Sequence, residues 1–307
     1  MTDAGKEAPS RIAHRSRHYH DGVTRRSLRV LLLADTHLGL DLPERPRTDR
    51  PRRGEDFFAN FERALLPALR GEVDLVVHGG DVLFRSKVPP SLVVRAFEPL
   101  RRVAATGVPV VVIPGNHERS AIPYPFLVAH RGIHVVDRPR TIALCIRDVT
   151  IALAGFPCER NGVRKGFRDL VERTGWRRVP ADIRLLCLHQ TVEGATVGPV
   201  GYMFRGDPDV IAGRDIPRGF AAVLAGHIHR HQVLTTDLAG RALAAPVFYP
   251  GSIERTSSAE RDETKGYVIV EIGAGPLDGG EVRDWSFHEL PASAPRDTAP
   301  RVLGQAR

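Results

Sequence analysis

A chain of 307 residues with 42% hydrophobic content is long enough to bury a sizeable core, as one large α/β domain or two ordinary ones. No apolar run approaches the roughly 20 residues that a bilayer span requires, and Met1–Ser27 carries charges but no apolar segment, so it does not read as a secretory signal. The net charge of +8 leaves a basic surface compatible with nucleic acid; only four of the 44 Lys+Arg are lysines (Lys6, Lys87, Lys165, Lys265), and arginine suits bidentate phosphate contact, although a GC-rich genome produces the same bias.

Residues 1–27 are polar and aperiodic and are expected to form a disordered basic tail, with His14, His18 and His20 solvated rather than ligating. Structure is expected from Leu28. The run Leu28–Ala34 predicts a strand that stops on Asp35-Thr-His37. A Pro/Arg loop, Pro43–Gly54, follows. Phe57, Phe61, Leu65 and Leu69 then recur every four residues, which predicts a helix over Asp56–Leu69 that Pro67 should kink or end. Val73–Val77 predicts a strand stopping on Gly80-Asp81. Ser91–Ala105 predicts a helix with Ser91 as N-cap, interrupted by Pro99. Pro109–Ile113 leads to Gly115-Asn116-His117-Glu118, Leu185–Leu188 to His189, and Ala221–Ala225 to Gly226-His227-Ile-His229. The runs Leu243–Tyr249, Tyr267–Ile272 and Trp285–Leu290 have no helices between them and predict a closing strand-rich meander. From Pro291 to Arg307 a disordered C-terminal tail is expected. Cys145, Cys158 and Cys187 lack metal-binding spacing; an odd count on apolar strands predicts reduced core thiols and a cytoplasmic protein.

Five apolar runs thus stop on metal-ligand residue types. Buried strands of this kind, rich in Val, Leu and Ile, belong to an α/β sheet, and side chains on the loops at their carboxyl ends converge on one crevice. Asp35 and His37 are two apart and can grip one ion from the same side of an extended backbone, as can His227 and His229. Asp81 has two oxygens and can bridge two cations; Asn116 offers a neutral amide oxygen. A mixed nitrogen and oxygen set without thiolate favours Mn, Fe or Zn over Ca or Mg. Two such ions about 3.5–4 Å apart can hold a hydroxide between them and clamp the oxygens of a phosphoryl group. The bland alternative is a set of buried polar residues on a non-catalytic scaffold. His78 and His134 read as strand residues, and His231 as solvent-exposed.

The ordered set D-x-H, G-D, G-N-H-[DE], H and G-H-x-H resembles the calcineurin-like metallophosphoesterase superfamily, from Leu31 to His229. More narrowly, Asp35-Thr-His-Leu-Gly39, Arg53-Gly-Glu-Asp-Phe-Phe58, Tyr249-Pro-Gly-Ser-Ile-Glu-Arg255 and Lys265-Gly-Tyr267 resemble the SbcD-type DNA repair nucleases. The resemblance implies a four-layer metallophosphoesterase sandwich over 28–290, two packed mixed sheets flanked by helices. It implies that Asp35, His37, Asp81 and His229 hold one divalent ion, Mn before Fe or Zn, and that Asp81, Asn116, His189 and His227 hold the second. His117 would stay off the metals and assist the leaving group, a task that an imidazole suits near neutral pH.

Two departures stand out. Repair nucleases commonly carry Asp-Leu-Phe-His after the bridging Asp; here Asp81-Val-Leu-Phe84-Arg85-Ser-Lys87 puts Arg or Lys in place of that His. The chain also ends soon after the final strands, so an SbcC-type ATPase is not expected to dock in the usual way. Arg53, Arg85, Lys87 and Arg205, with the Arg-rich loop 45–53, are candidates for contact with substrate phosphate. The leading expectation is a two-metal DNA nuclease. The alternatives are an enzyme acting on small phosphoesters and the scaffold.

Overall fold

The computed structural model describes residues 27–42, 52–118, 130–275 and 279–291. The two expected tails up to residue 26 and from residue 292, and loop residues 43–51 with Arg45, Arg47 and Arg50, lie outside the described residues.

The chain begins with β1 (Ser27–Leu33), α1 (Gly54–Leu69), β2 (Leu75–His78), α2 (Pro90–Ala105), β3 (Val110–Val112) and β4 (Ile133–Val135). The hairpin of β5 (Arg140–Ile146) and β6 (Val149–Gly155) leads to α3 (Val163–Arg173) and β7 (Ile183–His189). Four two-residue strands follow: β8 (Thr191–Val192), β9 (Thr196–Val197), β10 (Tyr202–Met203) and β11 (Val210–Ile211). Then come β12 (Ala222–Gly226), β13 (Gln232–Thr236), β14 (Ala242–Tyr249), β15 (Lys265–Gly273) and β16 (Glu281–Leu290).

Two six-stranded sheets result, ordered β16-β15-β1-β2-β3-β4 and β13-β14-β12-β7-β6-β5. The strands at the centre of each are parallel, and those at the flanks include antiparallel pairs. Alternation along the strands assigns the layers. Leu31 and Leu33 of β1 join Phe57, Phe61, Phe97 and Leu100 of α1 and α2, while Val30 and Leu32 face Leu153, Leu185 and Leu224 of the second sheet. The far face of that sheet, with Ala154, Leu186 and Val223, packs on Phe167 and Val171 of α3. The order is helix pair, sheet, sheet, helix. Because both sheets are covered on both faces, the central strands are largely apolar, and each fully buried Val or Leu contributes roughly 1.5–3 kcal/mol.

Several expectations are corrected. The second helix starts at Pro90, not after Ser91, because proline is preorganised for the first helical position and has no N–H to leave unpaired there. Both helices run through their internal prolines: Pro67 lies in the last turn of α1, and α2 is held across Pro99 by its buried face, Phe97, Leu100 and Val103. The closing strands do not form one meander. β13 and β14 pair in the second sheet, β15 and β16 in the first. Cys145 is exposed on β5 and Cys158 lies in a loop, so only Cys187 is a buried strand thiol. His231 is half-buried, its ring stacked on Phe287 at 4.1 Å. The β5–β6 hairpin and α3 lie beyond the sequence expectations, although Val163, Phe167, Leu170 and Val171 fall on one helix face. Among the described residues no helix is long and apolar enough to cross a membrane.

Candidate metal centre

The carboxyl ends of β1, β2 and β3 in one sheet and of β7 and β12 in the other meet along one edge of the sandwich, which the backbone N–H of His227 crosses to reach Asp35 Oδ2 at 3.0 Å. The loops leaving these strands are strained. Asp35 (φ 51°), His37 (φ 42°), Asp81 (φ 53°) and His227 (φ 88°) hold left-handed backbone, which non-glycine residues adopt only where the surroundings enforce it. Here Asp35 N–H donates to the Gly80 carbonyl at 2.9 Å and His37 N–H to the Asp81 carbonyl at 3.0 Å, tying the first loop to the second. Two glycines are dictated by contact: a Cβ on Gly80 would lie 2.2 Å from His189 Nδ1, and one on Gly115 would lie 2.2 Å from Asp81 Oδ1.

The structure brings Asp35, His37, Asp81, Asn116, His117, His189, His227 and His229 together. Donor atoms of Asp35, His37 and His229 lie within 4.8 Å of one another, as do those of Asp35, Asp81 and His189, and those of His37, Asp81 and His117. Asn116 Oδ1 is 3.0 Å from both His189 Nε2 and His227 Nδ1. His37 Nε2 and His229 Nε2 are 3.0 Å apart. Nitrogen lone pairs and carboxylate oxygens gathered this closely repel unless cations or protons sit among them, and neutral imidazole, carboxylate and amide oxygen are the donors that borderline divalent ions take. The residues fit a metal centre.

Protonation agrees for two of the rings, His37 and His227. Burial, helped by the neighbouring His229, lowers the His37 pKa to about 3, and burial with His189 lowers that of His227 to about 3, so both rings keep free lone pairs. Burial raises Asp35 to about 6 against the pull of His189 and His229. Burial works against the Asp81 charge too, but His189, His37 and His117 together hold its carboxyl well below the usual range. His189 is raised to about 9: burial disfavours its charge, and Asp81, then Asp35, overcome that.

Ring orientation is set from behind. His189 Nδ1–H donates to the Gly79 carbonyl at 2.7 Å, leaving Nε2 for the crevice. His229 Nδ1 faces Glu260 Oε1 at 2.9 Å. His117 Nδ1 contacts the Phe84 carbonyl, and its Nε2 sits 3.8 Å from Asp81 Oδ2. At 35% the His117 side chain is more exposed than His189 (0%) or His229 (26%).

The candidate substrate contacts are less gathered. Arg53 Nη2 pairs with the buried Glu254 at 2.6 Å, with 15% of its side chain exposed, and Arg52 pairs with Asp41 at 2.7 Å. Arg85 is exposed, its guanidinium 4.7 Å above the Phe84 ring, next to the carbonyl that His117 touches. Lys87 and Arg205 are exposed.

Sequence reasoning gave Glu118 no role of its own. It is buried and its carboxylate accepts the N–H groups of Leu83 (2.7 Å), Gly115 (2.8 Å) and Asp81 (3.0 Å), fastening two of the ligand loops together. Burial, then the Asp81 charge, raise its pKa to about 8 against these backbone donors. Thr36 and His78 brace the first loop from below, with Thr36 Oγ1 3.1 Å from His78 Nε2. Glu118 stood within the Gly115-Asn116-His117-Glu118 motif; Glu260 had no signal, being 31 residues beyond His229.

Residues 28–231 match the calcineurin-like phosphoesterase family. The chain is 27% identical over 270 residues to the DNA double-strand break repair protein Mre11 of Thermoplasma acidophilum, covering 81% of this chain and 64% of that one. It is 32% identical over 277 residues to the protein of the same name from Haloferax volcanii, covering 85% and 54%. The chain therefore spans between about half and two-thirds of the length of these relatives. Among solved structures, TT1561 of Thermus thermophilus superposes at a TM-score of 0.49 with 11% identity, over 86% of this chain and 99% of that one.

Proposed function

The chain belongs to the calcineurin-like phosphoesterase family, and we propose that within it this protein is a two-metal phosphodiesterase that cleaves DNA. The observation that carries the reading is the gathering of three carboxylate- and imidazole-bearing trios on one edge of the sandwich, with Asp81 common to two of them. Asp35, His37, Asp81 and His229 would hold one ion; Asp81, Asn116, His189 and His227 would hold the other. When bound, two divalent ions, Mn before Fe or Zn, supply Lewis-acid activation of water and of the phosphate.

His117 acts on the leaving oxygen in this scheme. Its Nδ1–H is committed to the Phe84 carbonyl, so the proton it delivers resides on Nε2, the nitrogen on the Asp81 side. Its backbone N–H donates to Asp81 Oδ1 at 2.9 Å, which fixes the ring relative to the bridging carboxylate. Arg85 and Lys87 follow Asp81 on the same loop and are exposed, so they are placed to meet the phosphates flanking the scissile one. The names of the relatives support DNA as substrate, and so does the net charge of +8.

One observation favours small phosphoesters instead: Arg52 and Arg53 are occupied by Asp41 and Glu254, which removes two cations from the rim. Mn-loaded protein assayed side by side on DNA and on an aryl phosphodiester, across a salt series, separates the two. A nuclease binds DNA with a log–log salt slope of about −0.7 to −0.9 per phosphate neutralised. Salt-insensitive, negligible DNA binding with rapid turnover of the small ester establishes the second reading. A protein that takes up no metal and cleaves neither substrate is a scaffold.

A further inference from the structure

Behind His229, on the side away from the crevice, lies a buried polar group that the ligand motifs do not include. The segment after β14 turns through a short 3-10 helix, Ser258–Glu260, and enters β15 at Lys265. This folds the Glu260 carboxylate against the outer edge of the His229 ring. All four of its acceptor directions are used. Oε1 receives His229 Nδ1 at 2.9 Å and Thr256 Oγ1 at 2.5 Å, and Oε2 receives Thr256 N–H at 3.1 Å and Lys265 Nζ at 2.7 Å. Lys265 is 0% exposed; its ammonium also donates to the His229 carbonyl at 2.9 Å and meets Glu263 at 3.2 Å. Glu263 in turn pairs with Arg230 at 3.0 Å.

A lysine with no solvent access is costly to ionise unless it is paired and hydrogen-bonded. Here its partners are the backbone of His229 and the carboxylate that holds the ring of His229, so one cation fixes both ends of a single residue. The contrast within the crevice is informative: His189 is oriented by a neutral backbone carbonyl, whereas His229 is oriented by a full negative charge. A carboxylate behind an imidazole fixes the Nδ1–H tautomer and raises the basicity of the opposite nitrogen, and losing such a partner typically costs about 10–100-fold in metal affinity.

We propose that Glu260, held by Lys265, is the positioning residue for His229 and makes the metal position of Asp35, His37, the shared Asp81 and His229 depend on the Thr256–Lys265 segment. The second position, of Asp81, Asn116, His189 and His227, does not depend on it. This inference rests on the two-metal reading above.

The test is calorimetric titration of the metal-free full chain with Mn, followed by metal content after desalting, on wild type, Glu260→Gln and Glu260→Ala. Glu260→Gln keeps an oxygen acceptor at this position for Nδ1–H and removes the charge; Glu260→Ala removes both and leaves Thr256 Oγ1, 3.1 Å from Nδ1, as the remaining neutral partner. The expected result is two sites in wild type and an affinity loss of about 10–100-fold confined to one site in Glu260→Ala, with an intermediate loss in Glu260→Gln. Imidazole nitrogen chemical shifts of the metal-free proteins provide a second readout, in which His229 changes from the Nδ1–H tautomer to a mixture in Glu260→Ala. Two unchanged sites in Glu260→Ala overturn this inference and leave the two-metal reading standing. An equal fall at both sites, with a lowered melting temperature of the metal-free protein, also overturns it, since Glu260 would then be structural. Wild type without two sites removes the two-metal reading itself.

Discussion

Asp35, Asp81 and His189 are 0–2% exposed and are tied to strand ends in both sheets, while Arg85, four residues after Asp81, stands in solvent with its guanidinium over the Phe84 ring. The crevice is over-determined. Its loops hold left-handed backbone, its glycines leave no room for a Cβ, and Glu118 binds two loops at once. The rim is under-determined, and where its cations are fixed, as with Arg53 on Glu254, they are fixed for the fold. Buried charges need specific partners and therefore precise placement, whereas exposed ones interact with any phosphate through a screened field. On the proposed reading, reaction class resides in the crevice and substrate choice in the rim.

The sharpest way to break that division is Asp81→Asn. An amide in place of the shared carboxylate should lower activity by roughly 10³-fold or more, from several kcal/mol of lost charge stabilisation, together with metal content. Circular dichroism should show the fold intact, and elemental analysis of Mn-loaded wild type that finds only traces of metal would refute the bridging role. His117→Ala comes next. It should retain both ions and lose about 10²–10⁴ in rate, the usual worth of a general acid. Loss of metal along with rate would instead place His117 in the His37–Asp81–His117 trio as a ligand.

Arg53→Ala tests whether a rim arginine can belong to the fold. Removing it takes from Glu254, 0% exposed, the guanidinium 2.6 Å away, and should cost roughly 3 kcal/mol in denaturant unfolding while leaving the salt dependence of DNA binding unchanged. A flattened salt slope in this variant would return Arg53 to the substrate surface. The smallest effect is expected from Arg85→Ala with Lys87→Ala. The log–log salt slope should shrink by about 0.7–0.9 for each phosphate that is no longer neutralised, with DNA cleavage slowed and turnover of an aryl phosphodiester unchanged. Equal slowing on both substrates would show that these side chains act on the reacting phosphate itself.

Much of this molecule was legible in one dimension. The central strands of both sheets are nearly uninterrupted apolar runs, because each is buried on both faces, and every run stops on a polar residue where the chain emerges at the sheet edge. The resemblance carried by Asp35-Thr-His37 through Gly226-His227-Ile-His229 led to the family that residues 28–231 match. What escaped was either weakly patterned or non-local. α3 has a buried stripe of only four residues, and the β5–β6 hairpin turns on Arg147 and Asp148 at positive φ rather than on a glycine.

The sequence by itself determined which residue types would sit at the strand ends, and hence the chemical class of the site. Only the tertiary structure decided how charges separated along the chain neutralise one another. Arg53 meets Glu254 across 201 residues of sequence, and His229 meets Glu260 across 31. The physical reason is that a buried ion pair is selected by geometry and desolvation at its final location, and neither leaves a periodic trace in the order of amino acids.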